Sequence, residues 1–229
     1  GRLIADDLHR VGIDMNCIPG LDLVREETHP FLKNRCLGDT PALVAKAGRA
    51  LADGAIAGGV QPIMKHIPGH GRSTLDTHHE LPRVESDADT LMAHDFVPFA
   101  ALADLPMAMT AHLVFTAYDP DRPATQSPAM VRVIREDIGF AGLLMTDDIS
   151  MNALGGDVAT RGRAALDAGC DLVLHCNGEM EEMSAVADFG PMTSAAQARA
   201  DAALALRRPA DDTDIDAAAA ELDALLTLA

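Results

Sequence analysis

Val60-Gln61-Pro62-Ile63-Met64-Lys65-His66 is an apolar run that ends on two basic side chains. Its shortness suits a strand, and Gly58-Gly59 stops the helical pattern before it. The same form recurs down the chain. Met107–His112 ends on His112, Leu143–Asp147 ends on Asp147, and Asp171–Cys176 runs into Asn177. A shorter run, Ile13–Ile18, precedes them. Amphipathic helical patterns separate these stretches, so βαβ units and a parallel sheet are expected. Polar residues at the C-terminal ends of several different strands favour a (β/α)8 TIM-type barrel over a doubly wound sheet. The phosphate-binding fingerprint Gly-x-Gly-x-x-Gly does not occur, because Gly69-His70-Gly71 lacks the third glycine.

The helical segments carry recognisable punctuation. Residues 1–10 read as the tail of a helix closed by Gly12. Asp39 and Thr40 offer an N-cap, Pro41 suits the first helical position, and Leu43, Val44, Ala47 and Leu51 share a face. Ser86-Asp87-Ala88-Asp89 opens another helix, which should break or restart at Pro98. Ser127-Pro128 starts a third, with Val131, Ile134 and Ile138 inward and Gly139 at its end. A helix over 157–168 leads into the fifth strand. Helical patterns continue to the C-terminus, one of them capped at Asp214 and carrying Leu222, Leu225 and Leu226. Five strands fall short of the eight that close a barrel. The expectation is one partial barrel domain over 1–229, with about three N-terminal βα units lying outside it and two sheet edges left open.

Composition narrows the class further. The 229 residues are 48% hydrophobic, but there is no Trp, one Tyr and six Phe, so the core must be aliphatic. The net charge of −17 disfavours nucleic acid and membrane surfaces as partners. No uninterrupted apolar stretch approaches the ~18 residues of a spanning helix. The start of the chain has no signal-peptide form. Cys17, Cys36, Cys170 and Cys176 show no CxxC spacing and read as reduced thiols, which points to the cytoplasm.

Chemistry concentrates in Lys65-His66-Ile67-Pro68-Gly69-His70-Gly71 and in Asp76-Thr77-His78 just beyond it. Pro68 to Gly71 read as the flexible lead-in to a loop that carries Asp76 and His78. Lys65 at a buried strand end needs a partner, either a ligand or a carboxylate such as Asp22. Asp76 can fix the tautomer of His78 and make it a proton shuttle, or the two can form a surface pair without consequence. His66, His70, His78 and His79 raise the question of a metal, although no helical HExxH accompanies them. In Thr146-Asp147-Asp148, adjacent strand residues point to opposite faces. One acid can therefore face a site while the other caps the Ser150-Met151-Asn152 turn, or both can serve as caps. His112 and Asn177 fit a core role and a site-lining role equally well.

These stretches, with Leu81-Pro82, Ile18-Pro19-Gly20-Leu21-Asp22-Leu23, Asn34-Arg35-Cys36 and Gly38-Asp39, Ala111-His112, Gly169-Cys170-Asp171 and Cys176-Asn177, are found in order along nearly the whole chain. Together they resemble the bacterial β-N-acetylhexosaminidases of glycoside hydrolase family 3. The resemblance implies retaining hydrolysis of a terminal β-linked N-acetylglucosamine. It makes Asp147 the nucleophile, His78 the acid/base and Asp76 its support. It makes Arg35, Lys65 and His66 substrate-binding. It calls for no metal and no cofactor. The partner it implies is a small carbohydrate, often a peptidoglycan fragment processed in the cytoplasm during cell-wall recycling. The chain departs from the family in having Thr146 and Thr77 where serine is usual. It also lacks a counterpart of the N-terminal strand whose Asp, with a nearby loop Arg, grips the sugar. A non-catalytic sugar-binding remnant and a metal-dependent hydrolase on a related barrel are the competing functions.

Overall fold

The computed structural model describes residues 1–227. Among the described residues the strands are β1 (Met15–Asn16), β2 (Gln61–Ile67), β3 (Arg83–Val84), β4 (Met107–Thr110), β5 (Val114–Phe115), β6 (Leu143–Asp148) and β7 (Leu172–Leu174). The helices are α1 (Arg2–Arg10), α2 (Pro30–Lys33), α3 (Pro41–Ala57), α4 (Ala88–Thr90), α5 (Val97–Ala101), α6 (Pro128–Arg132), α7 (Val158–Ala168), α8 (Met180–Ala187), α9 (Ser194–Ala205) and α10 (Ile215–Thr227). Strands β1, β2, β4, β6 and β7 pair in that order, all in parallel, and curl into a half-barrel. These are the five strands expected from the apolar runs. The two-residue strands β3 and β5 form a second small parallel sheet that the sequence did not announce.

The sheet is covered on both faces. Outside it, the aliphatic side chains of β2, β4 and β6 pack with Phe96, Phe99, Leu102, Ile134 and Phe140 from the helices and the turns that flank them. Each fully buried ring or Leu of this set contributes roughly 1.5–3 kcal/mol. On the other face, Ile63, Met107, Met109 and Leu143 form a second cluster with Met15, Cys17, Met145, Leu172 and Leu174. Helix α9 lays Ala200 and Ala203 onto this cluster. Asp171, almost fully buried at the start of β7, ties the layers together. Its carboxylate accepts from Arg135 and Arg199, each at 2.8 Å, and from the Leu144 N–H at 2.9 Å.

Several helical expectations shift in detail. The helix expected after Thr40 forms, but it buries Val44, Gly48, Ala52 and Ala55 and leaves Leu43 exposed. Gly48 lies where a Cβ would strike Leu21, so the helix approaches the strand layer through its small residues and the face rotates accordingly. Asp87 caps α4, which runs on through a π-type turn at Leu91–Asp95 before α5 restarts beside Pro98. Ser127 caps α6, and Val131, Ile134 and Ile138 are buried. Asp214 accepts from the Ala217 N–H at the start of α10, yet Leu222, Leu225 and Leu226 are exposed. No helix is long and apolar enough to cross a membrane among the described residues.

The lead-in from Pro68 to Gly71 is not a flexible segment. All four residues are buried. A Cβ on Gly71 would lie 1.9 Å from the Leu23 carbonyl oxygen, so only glycine lets these two chain segments touch. Thr28 adds a buried hydroxyl that donates to the Gly71 carbonyl.

Candidate active site

The C-terminal ends of β2 and β6 and the loops after β1 and β2 enclose a narrow cleft of about 90 Å³. Arg35, Lys65, His66, His78 and Asp147 all line it. Phe31, His70, Thr77 and Met151 complete the lining. Asp76 supports the wall from behind His78. Lys65 and His66 are consecutive, yet both reach the cleft. The pairing of β2 with β4 shifts register between Lys65 and Ile67, which interrupts the alternation of faces there.

Asp147 presents its carboxylate at the end of β6. Its Oδ2 lies 3.7 Å from His66 Nε2, and its Oδ1 accepts from the Asp148 N–H at 2.8 Å. Burial pushes this carboxyl up. The nearby His66, His112, the Asp148 N–H and Lys65 outweigh burial and hold it below the usual carboxylate range. Asp147 is therefore ionised at neutral pH. Asp148 does the other job foreseen for this pair. Its Oδ2 accepts from the Ser150 hydroxyl at 2.6 Å, and its Oδ1 accepts from the N–H groups of Ser150 and Cys176.

His66 is gripped from behind by Asp22, to which the sequence reading gives no role in the site beyond that of a possible partner for Lys65. Asp22 Oδ2 accepts from His66 Nδ1 at 2.8 Å, while Oδ1 accepts from the His66 and His70 N–H groups at 3.3 and 2.7 Å. A carboxylate can only accept, so Nδ1 carries a proton and Nε2 is the edge turned to Asp147. Asp22 is 2% exposed. Burial raises its carboxyl, but His66, by charge and hydrogen bond, and His70 bring it net below the ordinary value. Lys65 is half-buried and makes no ion pair among the described residues, so its ammonium is available to the cleft.

His78 stands on the loop between β2 and β3, with its side chain 59% exposed. Asp76 Oδ1 accepts from its Nδ1 at 2.7 Å and from its backbone N–H at 3.0 Å, leaving Nε2 to do chemistry. The slight burial of Asp76 raises its carboxyl; the two hydrogen bonds and the charge of His78 hold it lower than usual. The loop is fastened at both ends. Arg72 Nε donates to the buried Asp95 carboxylate at 2.8 Å. The Thr77 and His78 carbonyls accept from the Ala153 and Asn152 N–H groups, just beyond the strand that carries Asp147.

His112 and Asn177 fall away from the cleft. His112 is buried, its Nε2 donating to the Asp148 carbonyl at 3.1 Å while Nδ1 meets the Thr125 hydroxyl at 2.7 Å. Burial, opposed by Asp147 and the Asp148 carbonyl, lowers its pKa, and its two hydrogen bonds make it a strut under the end of β6. Asn177 is exposed and donates to Glu182. His66, His70 and His78 share the cleft without His79, and the described residues hold no cluster suited to a metal ion. His70 sits at the back of the cleft, its pKa pushed down to about 4 by burial and then by His66.

A parallel half-barrel with its polar cluster at the C-terminal strand ends has the arrangement in which (β/α)8 barrels build their sites. Residues 1–205 match the glycosyl hydrolase family 3 N terminal domain, and the chain belongs to that family. The Beta-hexosaminidase of Methylococcus capsulatus is 38% identical over 182 residues, covering 77% of this chain and 54% of that protein. The Beta-hexosaminidase of Xanthomonas campestris pv. campestris is 36% identical over 192 residues, covering 81% and 57%. The chain thus spans about half the length of the curated relatives it matches. Among solved structures, a glycoside hydrolase family 3 beta-N-acetylglucosaminidase from Paenibacillus sp. superposes with a TM-score of 0.81 at 32% identity, over 89% of this chain and 41% of that one. NagZ from Neisseria gonorrhoeae, in complex with N-trifluoroacetyl-D-glucosamine, gives 0.80 at 31%, over 95% and 62%.

Proposed function

We propose that the chain carries the catalytic site of a retaining glycoside hydrolase that removes terminal β-linked N-acetylglucosamine, and that residues 1–229 act as one domain. The observation that carries this is the placing of an ionised Asp147 and an Asp76-held His78 on one cleft with Arg35, Lys65 and His66. Asp147 attacks the anomeric carbon while His78 gives its proton to the departing glycosidic oxygen. A glycosyl ester of Asp147 results. His78, now neutral, takes a proton from water, whose oxygen attacks the same carbon and frees Asp147. Two inversions retain the configuration. Most glycosidases use a second carboxyl as the acid; an imidazole suits the role because it gives and accepts a proton near neutrality.

Arg35, Lys65 and His66 supply donors for sugar hydroxyls and for the N-acetyl carbonyl. Peptidoglycan fragments, handled in the cytoplasm during cell-wall recycling, are the substrates we favour. The test is release of p-nitrophenol from its N-acetyl-β-glucosaminide. Asp147→Ala should abolish it, and an active Asp147→Ala variant would overturn the assignment. The sheet has five strands where eight close a barrel, and this favours a second reading, sugar binding without turnover. Heat on titrating N-acetylglucosamine, with no hydrolysis in the assay, would select it.

A further inference from the structure

Phe31 occupies a position that neither the motifs nor the proposed chemistry explains. It lies in α2, where the His29 ring accepts its N–H at 3.4 Å, and it is half-buried in the wall of the cleft. Its ring meets three groups at once. The His78 ring stands edge-to-face to it with centroids 5.9 Å apart. The His70 ring does the same at 5.7 Å. The Arg35 guanidinium sits over the ring, 5.2 Å from its centroid. His70 in turn donates its N–H to Asp22, which orients His66. One phenyl ring therefore joins the loop of His78, the arginine of the preceding loop and the fixed end of β2.

We propose that Phe31 is a positioning residue that sets His78 against Arg35. This rests on the reading of His78 as the proton shuttle. The His78 side chain is more than half exposed; Asp76 lies two residues away on the same loop, and the bonds from Asn152 and Ala153 fasten that loop to the segment after β6, not to Arg35. The Phe31 ring joins His78 to Arg35, because it touches both. Perpendicular ring pairs and a guanidinium over an aromatic ring are both favourable arrangements, and both occur here. A branched aliphatic side chain would fill the space without that directionality.

The experiment compares wild type with Phe31→Leu and Phe31→Tyr on two N-acetyl-β-glucosaminides. The 2,4-dinitrophenyl glycoside has a leaving group that needs no proton, whereas the disaccharide chitobiose needs one. Phe31→Leu should lower kcat/KM on chitobiose by about tenfold, the upper range for an aromatic pair, and on the dinitrophenyl glycoside by less than about twofold. Phe31→Tyr, which keeps the ring, should recover most of the loss. An equal fall on both substrates would overturn the proposal, because a merely structural residue has no reason to distinguish leaving groups. A second readout needs no turnover. In imidazole NMR spectra of the free protein, Phe31→Leu should shift the His78 ring signals and leave those of buried His112 in place. Unmoved His78 signals would also overturn it. If wild type hydrolyses neither substrate, the hydrolase reading fails by itself, and the His78 signals alone decide whether Phe31 holds that ring.

Discussion

Asp22 holds His66 by a 2.8 Å hydrogen bond to Nδ1, inside a pocket where the carboxylate is 2% exposed. The consequence reaches beyond the pair, because the other edge of the same imidazole faces Asp147 at 3.7 Å. A carboxylate buried behind the cleft thus decides which nitrogen of His66 meets the site.

Asp22→Asn tests this relationship through stability. The folded-state pKa of Asp22 is depressed, so its contribution is complete above the unfolded carboxylate value, ~3.9, and is lost as pH falls through the folded value. The variant should lose about 1.5–3 kcal/mol near pH 7, as for a hydrogen bond to a charged group. The gap from wild type should close in strong acid. Urea unfolding at several pH values measures both; a gap that stays constant down to the acid limb would show that the charge of Asp22 is not what matters.

Asp76→Ala should separate activity from stability. Asp76 sits on a surface loop, so its loss should alter unfolding free energy by no more than ~0.5 kcal/mol. If His78 moves protons, losing the group that orients it should lower kcat/KM by a substantial part of the ~10²–10⁴-fold that general acid–base catalysis supplies. Steady-state kinetics beside thermal unfolding reads the two effects. A large loss of stability with little loss of activity would place Asp76 in the fold instead.

The strands were legible because buried parallel strands are short apolar runs, and the polar residue that ends each one stands out against them. That is how Lys65, His66 and Asp147 were found and why the five-stranded sheet was foreseen. Asp22 and Phe31 were not placed, because their importance lies in what they touch. Asp22 is one acid among many until His66 and His70 close on it. Phe31 reads as an ordinary apolar residue until two loops bring Arg35, His70 and His78 around it. The lead-in at Pro68 to Gly71 was misjudged for a related reason. Pro and Gly signal a turn, but they also permit the close backbone approach that Gly71 makes to Leu23.

Gly71→Ala should be destabilising although it adds one methyl group. The added carbon would lie 1.9 Å from the Leu23 oxygen and 2.8 Å from its carbonyl carbon, and backbone cannot swing aside as a side chain can. A cost of about 1–3 kcal/mol is expected for such overpacking. Asp22 follows Leu21 and precedes Leu23, so the shift should also disturb His66. Chemical denaturation gives the first effect and the His66 imidazole signal the second. An unchanged urea midpoint would mean that the two segments part without strain.

Exhaustive dialysis against EDTA should leave hydrolysis unchanged. The described residues hold no group of three or more His, Cys, Asp or Glu side chains placed to share a metal ion. A fall in kcat that zinc restores would revive the metal-dependent alternative.

Asp171→Asn should unfold the protein more readily without touching the site's chemistry. Asp171 is 6% exposed and accepts from Arg135, Arg199 and the Leu144 N–H. Removing its charge leaves two guanidinium groups beside one another, and burial already opposes the charge on Arg135. Breaking a buried pair in this way costs about 3–5 kcal/mol. Asp171 begins β7, whereas the cleft gathers at the strand ends, so the folded fraction should keep its kcat/KM per active site. Urea midpoints, with activity corrected for the folded fraction, make the measurement. Loss of activity in fully folded protein would mean that this ion cluster governs the cleft from the far end of the sheet.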